Sequence, residues 1–270
     1  MPDRYAVVGN PVAHSRSPAI HAAFARQTGE DIEYTRLLAP LDGFARTVAE
    51  FRDAGGKGVN VTLPFKGEAF RLATTLAARA RLAEAANTLR FDPDGVYGDN
   101  TDGPGLVRDV TVNLGVALAG RRVLLIGAGG AASGVVPALL GAGVARLVIA
   151  NRTEDRAAAL ARRHGAPVAA CGFDALGDEP FDVLINATSA GLSGAAPPLP
   201  AGAVAPGALA YDMVYGPLAE PFLAAARRAG ATRLADGLGM LVEQAAESFL
   251  VWRGIRPDTA PVLAGLRAAR

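Results

Sequence analysis

Two residues in this chain have the types and settings for proton transfer. Asn60-Val-Thr62-Leu-Pro64-Phe-Lys66 places a lysine just past a short apolar run, behind a proline. Gly98-Asp-Asn-Thr-Asp102-Gly103 places an aspartate in a turn signature. Taken singly, each has an ordinary role: a solvated surface charge for the lysine, a turn or helix cap for the aspartate. As a pair at the ends of strands they form a candidate acid/base couple. A free lysine ammonium has a pKa of about 10.4, so it needs a partly desolvated site to act as a base near neutrality. A neighbouring carboxylate favours the charged form, and such a couple titrates as a unit, so which member holds the proton stays open.

A glycine loop supplies the partner chemistry. Gly127-Ala128-Gly129-Gly130-Ala131-Ala132 follows an apolar run and opens a helical stretch, as a dinucleotide-binding turn does. Gly127 permits the tight turn, Gly129 lets backbone approach a pyrophosphate at the helix N-terminus, and Ala132 allows close helix–strand packing. Binders of NAD place a carboxylate about 20 residues further on, against the ribose hydroxyl. Here that place reads Ala150-Asn151-Arg152-Thr153, with Arg156 close behind. A guanidinium fork suits a 2′-phosphate, so NADP is the expected cofactor. Nicotinamide-linked oxidation of an alcohol removes a hydride and a proton. The three histidines, His14, His21 and His164, form no metal-ligand cluster, so no metal is expected and a side chain must handle the proton.

Uncharged polar residues complete the set. Gly9-Asn-Pro-Val-Ala-His-Ser15-Arg-Ser17-Pro18 follows the first apolar run. Ser17 before Pro18 reads as a helix N-cap. Two serines at a helix start can also hold a carboxylate. Thr62, Asn87 and Gln244 are further hydroxyl and amide groups that suit a small ligand carrying several hydroxyls.

The elements that must position these residues alternate. Tyr5–Gly9, Glu33–Leu38, Gly58–Thr62 and Ala86–Phe91 read as strands, with helices expected over Pro18–Thr28, Leu41–Asp53 and Glu68–Ala78. A second series begins near Gly120: strands over Arg122–Ile126, Arg146–Ala150, Phe181–Asn186, Ala208–Val214 and Thr232–Ala235, with a helix over Ser133–Leu140. This alternation predicts an α/β fold with two largely parallel sheets. Met240–Trp252 has apolar residues at helical spacing and could pack back on the first series.

Composition narrows the function classes. Half of the 270 residues are hydrophobic, and 27 basic against 26 acidic residues leave a formal charge of +1. Disorder, and a global attraction to nucleic acid or anionic membrane, are therefore not expected. The single cysteine, Cys171, excludes an intramolecular disulfide scaffold. The N-terminus has no signal-peptide pattern, so the cytoplasm is the default expectation. The uncharged stretches Val123–Ala145 and Val183–Tyr211 are broken by glycines and prolines and read as buried strands with loops rather than membrane spans.

Taken in order, the motifs resemble the shikimate dehydrogenase family over nearly the whole chain. They are GNPVAHSRSP (9–18), NVTLPFK (60–66), EAANTL (84–89), GDNTDG (98–103), GAGGAA (127–132), NRT (151–153), NATSAG (186–191), YDMVYGP (211–217) and DGLGMLVEQA (236–245). The resemblance implies reversible NADPH-linked reduction of 3-dehydroshikimate to shikimate, on the route to chorismate and aromatic amino acids. It implies Lys66 as the acid/base with Asp102 as its substrate-binding partner. Ser15 and Ser17 would hold the carboxylate; Thr62, Asn87, Asp102 and Gln244 would bond ring hydroxyls; Tyr215 would also reach the substrate. Gly127, Ala128, Gly129, Gly130 and Ala131 would cradle the pyrophosphate. Asn151, Arg152, Thr153 and Arg156 would hold the 2′-phosphate end, and Met213 and Gly237 would line the nicotinamide. The implied architecture is a substrate domain, 1–102 plus 238–270, and a Rossmann-type NADP domain, 103–237, with a cleft between them; a homodimer is the family-level expectation. Departures are small: Gly216 and Glu220-Pro221 stand where the family often has Asn and Thr-Pro, and EAANT replaces GAVNT. A broader quinate/shikimate dehydrogenase and a non-catalytic NADPH-binding redox sensor are the competing readings.

Overall fold

Nearly every apolar run of the sequence becomes a strand, and the strands collect into two six-stranded sheets. The structure is a computed structural model that describes residues 1–177, 179–188 and 190–269, apart from the side chains of Leu192 and Ala201. Ser189 of the NATSAG motif lies outside the described residues. The chain divides into two units, Met1–Gly105 with Leu241–Arg270, and Leu106–Met240.

The N-terminal part runs β1 (Asp3–Gly9), α1 (Ser17–Thr28), β2 (Ile32–Leu38), α2 (Phe44–Asp53), β3 (Gly56–Val61), α3 (Lys66–Leu72), β4 (Thr75–Leu76), α4 (Ala78–Ala83), β5 (Thr88–Asp92), β6 (Gly95–Asp99) and α5 (Asp102–Arg108). The sheet order is β2-β1-β3-β5-β6-β4. β1 pairs in parallel with β2 and β3, and β4 with β6, whereas β5 is antiparallel to both β3 and β6. Every strand except β5 therefore points the same way. The segments following β1, β3 and β6 and the segment preceding β5 all emerge at one edge of the sheet, on four neighbouring strands. One face is closed by Phe44, Val48, Phe65 and Ala69 over Ala6, Val8, Val59, Val61 and Leu89, all buried.

Three local expectations change here. The helix expected over Glu68–Ala78 ends at Leu72. The Thr74 N–H and Oγ1 both donate to the Val96 carbonyl, at 2.8 and 3.1 Å, which draws the β-branched Thr74-Thr75 pair into strand pairing beside β6. Ser17 is not the N-cap of α1: Ser15 Oγ accepts from the Ser17 N–H at 3.2 Å, and Ser17 becomes the first helical residue. Asp102 does not stay in a turn but opens α5.

The second series runs β7 (Arg122–Ile126), α6 (Gly130–Gly141), β8 (Arg146–Ala150), α7 (Glu154–His164), β9 (Val168–Cys171), β10 (Phe181–Asn186), β11 (Val204–Asp212), α8 (Glu220–Arg228) and β12 (Arg233–Ala235). All pairings are parallel, in the order β12-β11-β10-β7-β8-β9. The order reverses between β7 and β10, as in dinucleotide-binding sheets. Helices cover both faces, which explains why these strands read as unbroken apolar runs. Val123, Leu125, Val183 and Ile185 pack into one cluster with Val135 and Leu139, while Leu124, Ile126 and Leu184 pack into another with Phe222. β9, a short, half-buried strand, had no counterpart in the sequence reading.

Two helices follow, α9 (Leu238–Arg253) and α10 (Ala260–Ala268). The end of α9 belongs to the first unit, as its apolar spacing allowed. Trp252 stacks on Tyr5 with ring centroids 4.6 Å apart, and its Nε1 donates to the Leu89 carbonyl at 3.0 Å. Arg253 pairs with Asp3 and Glu30. Among the described residues, no helix is long and apolar enough to cross a membrane.

Candidate active site

In the first unit the polar residues gather at the sheet edge defined above. Lys66 opens α3 after β3, and Asp102 opens α5 after β6. Lys66 Nζ donates to Asp102 Oδ2 at 2.6 Å, with both side chains largely withdrawn from solvent. The other carboxylate oxygen, Oδ1, accepts from Asn87 Nδ2 at 2.9 Å. The Asn87 amide cannot be turned around, because its Oδ1 accepts from the Thr101 backbone N–H at 2.8 Å. Asn87 Nδ2 also lies 3.3 Å from Gln244 Oε1, which brings α9 to the same point. A Cβ on Gly105 would fall 2.7 Å from Gln244 Cβ, so this glycine is what lets α5 and α9 approach so closely.

The loop after β1 supplies the serines. Ser15 Oγ donates to Ser17 Oγ at 3.1 Å, and Arg36 at the end of β2 donates twice to the Ser15 carbonyl, at 3.0 and 2.5 Å. Thr62 directly follows β3. The structure thus sets Ser15, Ser17, Thr62, Lys66, Asn87, Asp102 and Gln244 in one unit. Tyr215 lies in the other, after β11. Sequence reasoning did not single out Asn100, Thr101 or Arg36. Asn100 Oδ1 accepts from the Asp102 N–H at 3.1 Å and its Nδ2 donates to the Ala85 carbonyl at 3.0 Å, which fixes the turn carrying Asp102. The polar run inside GDNTDG was the available signal.

In the second unit, loops after β7, β8, β10, β11 and β12 share the carboxyl edge of the parallel sheet. Gly127 has φ +108, and a Cβ there would fall 3.0 Å from Thr188 Cγ2, so both backbone and space require glycine. A Cβ on Gly129 would meet nothing within 4 Å, so open space stands before the start of α6. The first N–H groups of a helix have no intrahelical acceptor, and with this open approach they suit a pyrophosphate. After β8, Asn151 Nδ2 donates to the Thr153 carbonyl at 2.8 Å, shaping the turn that carries the exposed Arg152, with Arg156 exposed in the first turn of α7. These features fit an NADP-type dinucleotide.

The loops after β10 and β11 are tied to each other. Asn186 Nδ2 donates to Asp212 Oδ2 at 2.9 Å, and the Asn186 carbonyl accepts from the Met213 N–H at 2.9 Å. Burial pushes the Asp212 carboxyl up to about 6, against the hydrogen bonds from Asn186 and Val214 that favour its charged form. A Cβ on Gly237 would fall 2.3 Å from the Met213 carbonyl oxygen, so only glycine lets the segment after β12 lie against Met213. Asn186 and Asp212 stood in motifs whose roles sequence alone did not separate. No group of His, Cys, Asp and Glu among the described residues could hold a metal ion.

Comparison with known proteins agrees with this arrangement. Residues 7–89 match the family described as shikimate dehydrogenase substrate binding domain, 110–193 match shikimate / quinate 5-dehydrogenase, and 237–267 match the shikimate 5'-dehydrogenase C-terminal domain. The shikimate dehydrogenase (NADP(+)) of Aromatoleum aromaticum is 63% identical, over 98% of this chain and 97% of that protein. The counterpart from Dechloromonas aromatica is 61% identical, over 99% and 98%. Among solved structures, the Thermus thermophilus shikimate 5-dehydrogenase in complex with NADP(H) and shikimate superposes with a TM-score of 0.86 at 35% identity, covering 99% of this chain and 100% of that one.

Proposed function

The chain belongs to the shikimate dehydrogenase family, and from that membership we infer that it catalyses the reversible, NADPH-linked reduction of 3-dehydroshikimate to shikimate. The observation that carries the reading is the Lys66–Asp102 couple, 2.6 Å apart and braced by Asn87 and Gln244 at one sheet edge.

Bound NADPH would supply the hydride. Lys66 does the accompanying proton work: its ammonium gives a proton to the substrate oxygen as the ketone becomes an alcohol, and takes it back in the oxidising direction. Asp102 holds Nζ in place through Oδ2 and, with Asn87 and Gln244, orients the ring through its hydroxyls. Ser15 and Ser17, anchored by the Arg36 contact to the Ser15 carbonyl, hold the carboxylate, and Thr62 adds a further hydroxyl contact. Tyr215 adds a further substrate contact in this reading. In the second unit, Gly127, Ala128, Gly129, Gly130 and Ala131 cradle the pyrophosphate, Asn151, Arg152, Thr153 and Arg156 hold the 2′-phosphate end, and Met213 and Gly237 receive the nicotinamide.

The test is absorbance of NADPH formed by the purified protein from shikimate, run in parallel with NADP and NAD and repeated with quinate. Turnover of shikimate with NADP, and far less with NAD or quinate, supports the reading. Comparable rates with both acids would move the assignment to a broader quinate/shikimate dehydrogenase. Silence with both acids, in protein that binds NADPH, would sink catalysis and leave a sensor.

A further inference from the structure

Beneath the Lys66–Asp102 couple lies a layer of buried polar side chains that the substrate does not need to touch. Tyr34 OH donates to Asn60 Oδ1 at 2.8 Å, and Asn60 Nδ2 donates to Ser248 Oγ at 2.8 Å and to Thr88 Oγ1 at 3.1 Å. Ser248 Oγ lies 2.8 Å from Thr88 Oγ1, and Thr88 Oγ1 donates to Asn87 Oδ1 at 3.0 Å. Asn87 Nδ2 then donates to Asp102 Oδ1 at 2.9 Å. Asn60, Thr88 and Ser248 are buried and come from β3, β5 and α9.

The direction of this chain follows from which groups can donate. Burial pushes the Tyr34 phenol well above its ordinary range, so it keeps its proton and can give it to Asn60. With its carbonyl oxygen occupied, Asn60 turns Nδ2 toward the two hydroxyls. Thr88 Oγ1 accepts there and has Asn87 Oδ1 at 3.0 Å for its own proton, while Ser248 Oγ donates to the Gln244 carbonyl at 3.0 Å. Asn87 Nδ2 in turn donates to Asp102 Oδ1. The run from Tyr34 through Asn60, Thr88 and Asn87 thus donates link by link toward the carboxylate, and chains of aligned hydrogen bonds polarise one another inside a protein.

We propose that Thr88, with Asn60 and Ser248 behind it, is a positioning residue for the reaction: its hydroxyl shares Asn87 Oδ1 with the Thr101 N–H and steadies the amide that the N–H orients, and through it Asp102 and Lys66, so that the acid/base couple is held from below by strand β3 and helix α9. The inference deepens the dehydrogenase reading and rests on Lys66 and Asp102 being its acid/base couple.

Thr88 allows a clean test, because its two nearest relatives separate shape from hydroxyl. Thr88→Val keeps the volume and loses the donor; Thr88→Ser keeps the donor and loses a methyl group. In the full-length protein, Thr88→Val is expected to lower kcat with shikimate roughly tenfold, the weight of one buried hydrogen bond, with KM for NADP unchanged. Thr88→Ser is expected to stay within about twofold of the parent. A valine variant with parental kcat, or a serine variant as impaired as the valine one, would overturn the proposal. If Thr88→Val does not fold, Ser248→Ala against Ser248→Thr makes the same comparison one link further back: loss of kcat in the alanine variant alone supports the chain, and parental kcat in both overturns it. The unmodified protein is assayed first. Its failure to turn over shikimate would remove the dehydrogenase reading and this inference with it, whereas an active parent with indifferent variants removes the network alone.

Discussion

Asn87 and Asp102 meet because β5 runs against its neighbours. Asn87 directly precedes β5 and Asp102 follows β6, and the reversal of β5 brings those two ends to one edge, where Asn87 Nδ2 lies 2.9 Å from Asp102 Oδ1. Lys66 takes the remaining carboxylate oxygen at 2.6 Å. Among the described residues the side-chain donors to Asp102 are thus one cation and one amide, an arrangement that suits the proton role proposed for Lys66.

Lys66→Ala is expected to lower kcat with shikimate by about 100- to 10,000-fold, the usual weight of a positioned acid/base group. Affinity for NADP stays near the parental value, because Lys66 and the dinucleotide residues lie in different units. Steady-state kinetics beside a fluorescence titration of NADPH separates the two, and an unchanged kcat removes Lys66 from the mechanism.

Arg152 stands exposed at the turn after β8, held by the Asn151 contact to Thr153. Arg152→Ala is expected to weaken NADP by about 1.5–3 kcal/mol, the range for a hydrogen bond to a charged group, and to leave NAD nearly untouched. KM values for both cofactors decide it; equal losses would refute a 2′-phosphate role.

His21 is buried and stacked on Tyr34 at 4.2 Å between ring centroids. Burial drives its pKa from 6.5 down to about 3. Between those values the unfolded chain binds the proton and the folded chain does not, so this contribution is complete above pH 6.5 and is lost progressively as pH falls toward 3. The slope approaches about 1.4 kcal/mol per pH unit. His21→Phe keeps an aromatic stack without the titration. Urea unfolding at neutral and mildly acidic pH is expected to show a smaller acid loss in the variant, and parallel losses in both proteins would contradict this account.

Glu84 has a φ of 49, which lies in the left-handed region at the end of α4. That conformation costs an ordinary residue about 1–2 kcal/mol, part of which glycine returns through its greater freedom when unfolded. Glu84→Gly is expected to raise stability by up to about 1 kcal/mol with kcat unchanged. Thermal melting checks it, and a lowered midpoint would show that contacts of the glutamate outweigh its backbone strain.

The sequence by itself determined the features that depend on neighbours along the chain. The strands Arg122–Ile126, Arg146–Ala150 and Phe181–Asn186 were legible to the residue, because buried parallel strands are short unbroken apolar runs. The glycine turn before α6 was legible because Gly127 and Gly129 act within one turn of backbone. Pattern failed where a distant partner outbid local preference, as Thr74 leaves its expected helix for Val96, and where two nearby groups competed for one role, as Ser15 accepts the Ser17 N–H and Ser17 enters the helix it was expected to cap. The candidate residues could be named from their types, but not their grouping. Lys66 and Asp102 are separated by 36 residues, and Asn60 and Ser248 by 188. Only the sheet order, with β5 reversed and α9 returned to the first unit, brings them within hydrogen-bond reach, since such bonds act over about 3 Å and carry no trace in the spacing of residues along a chain.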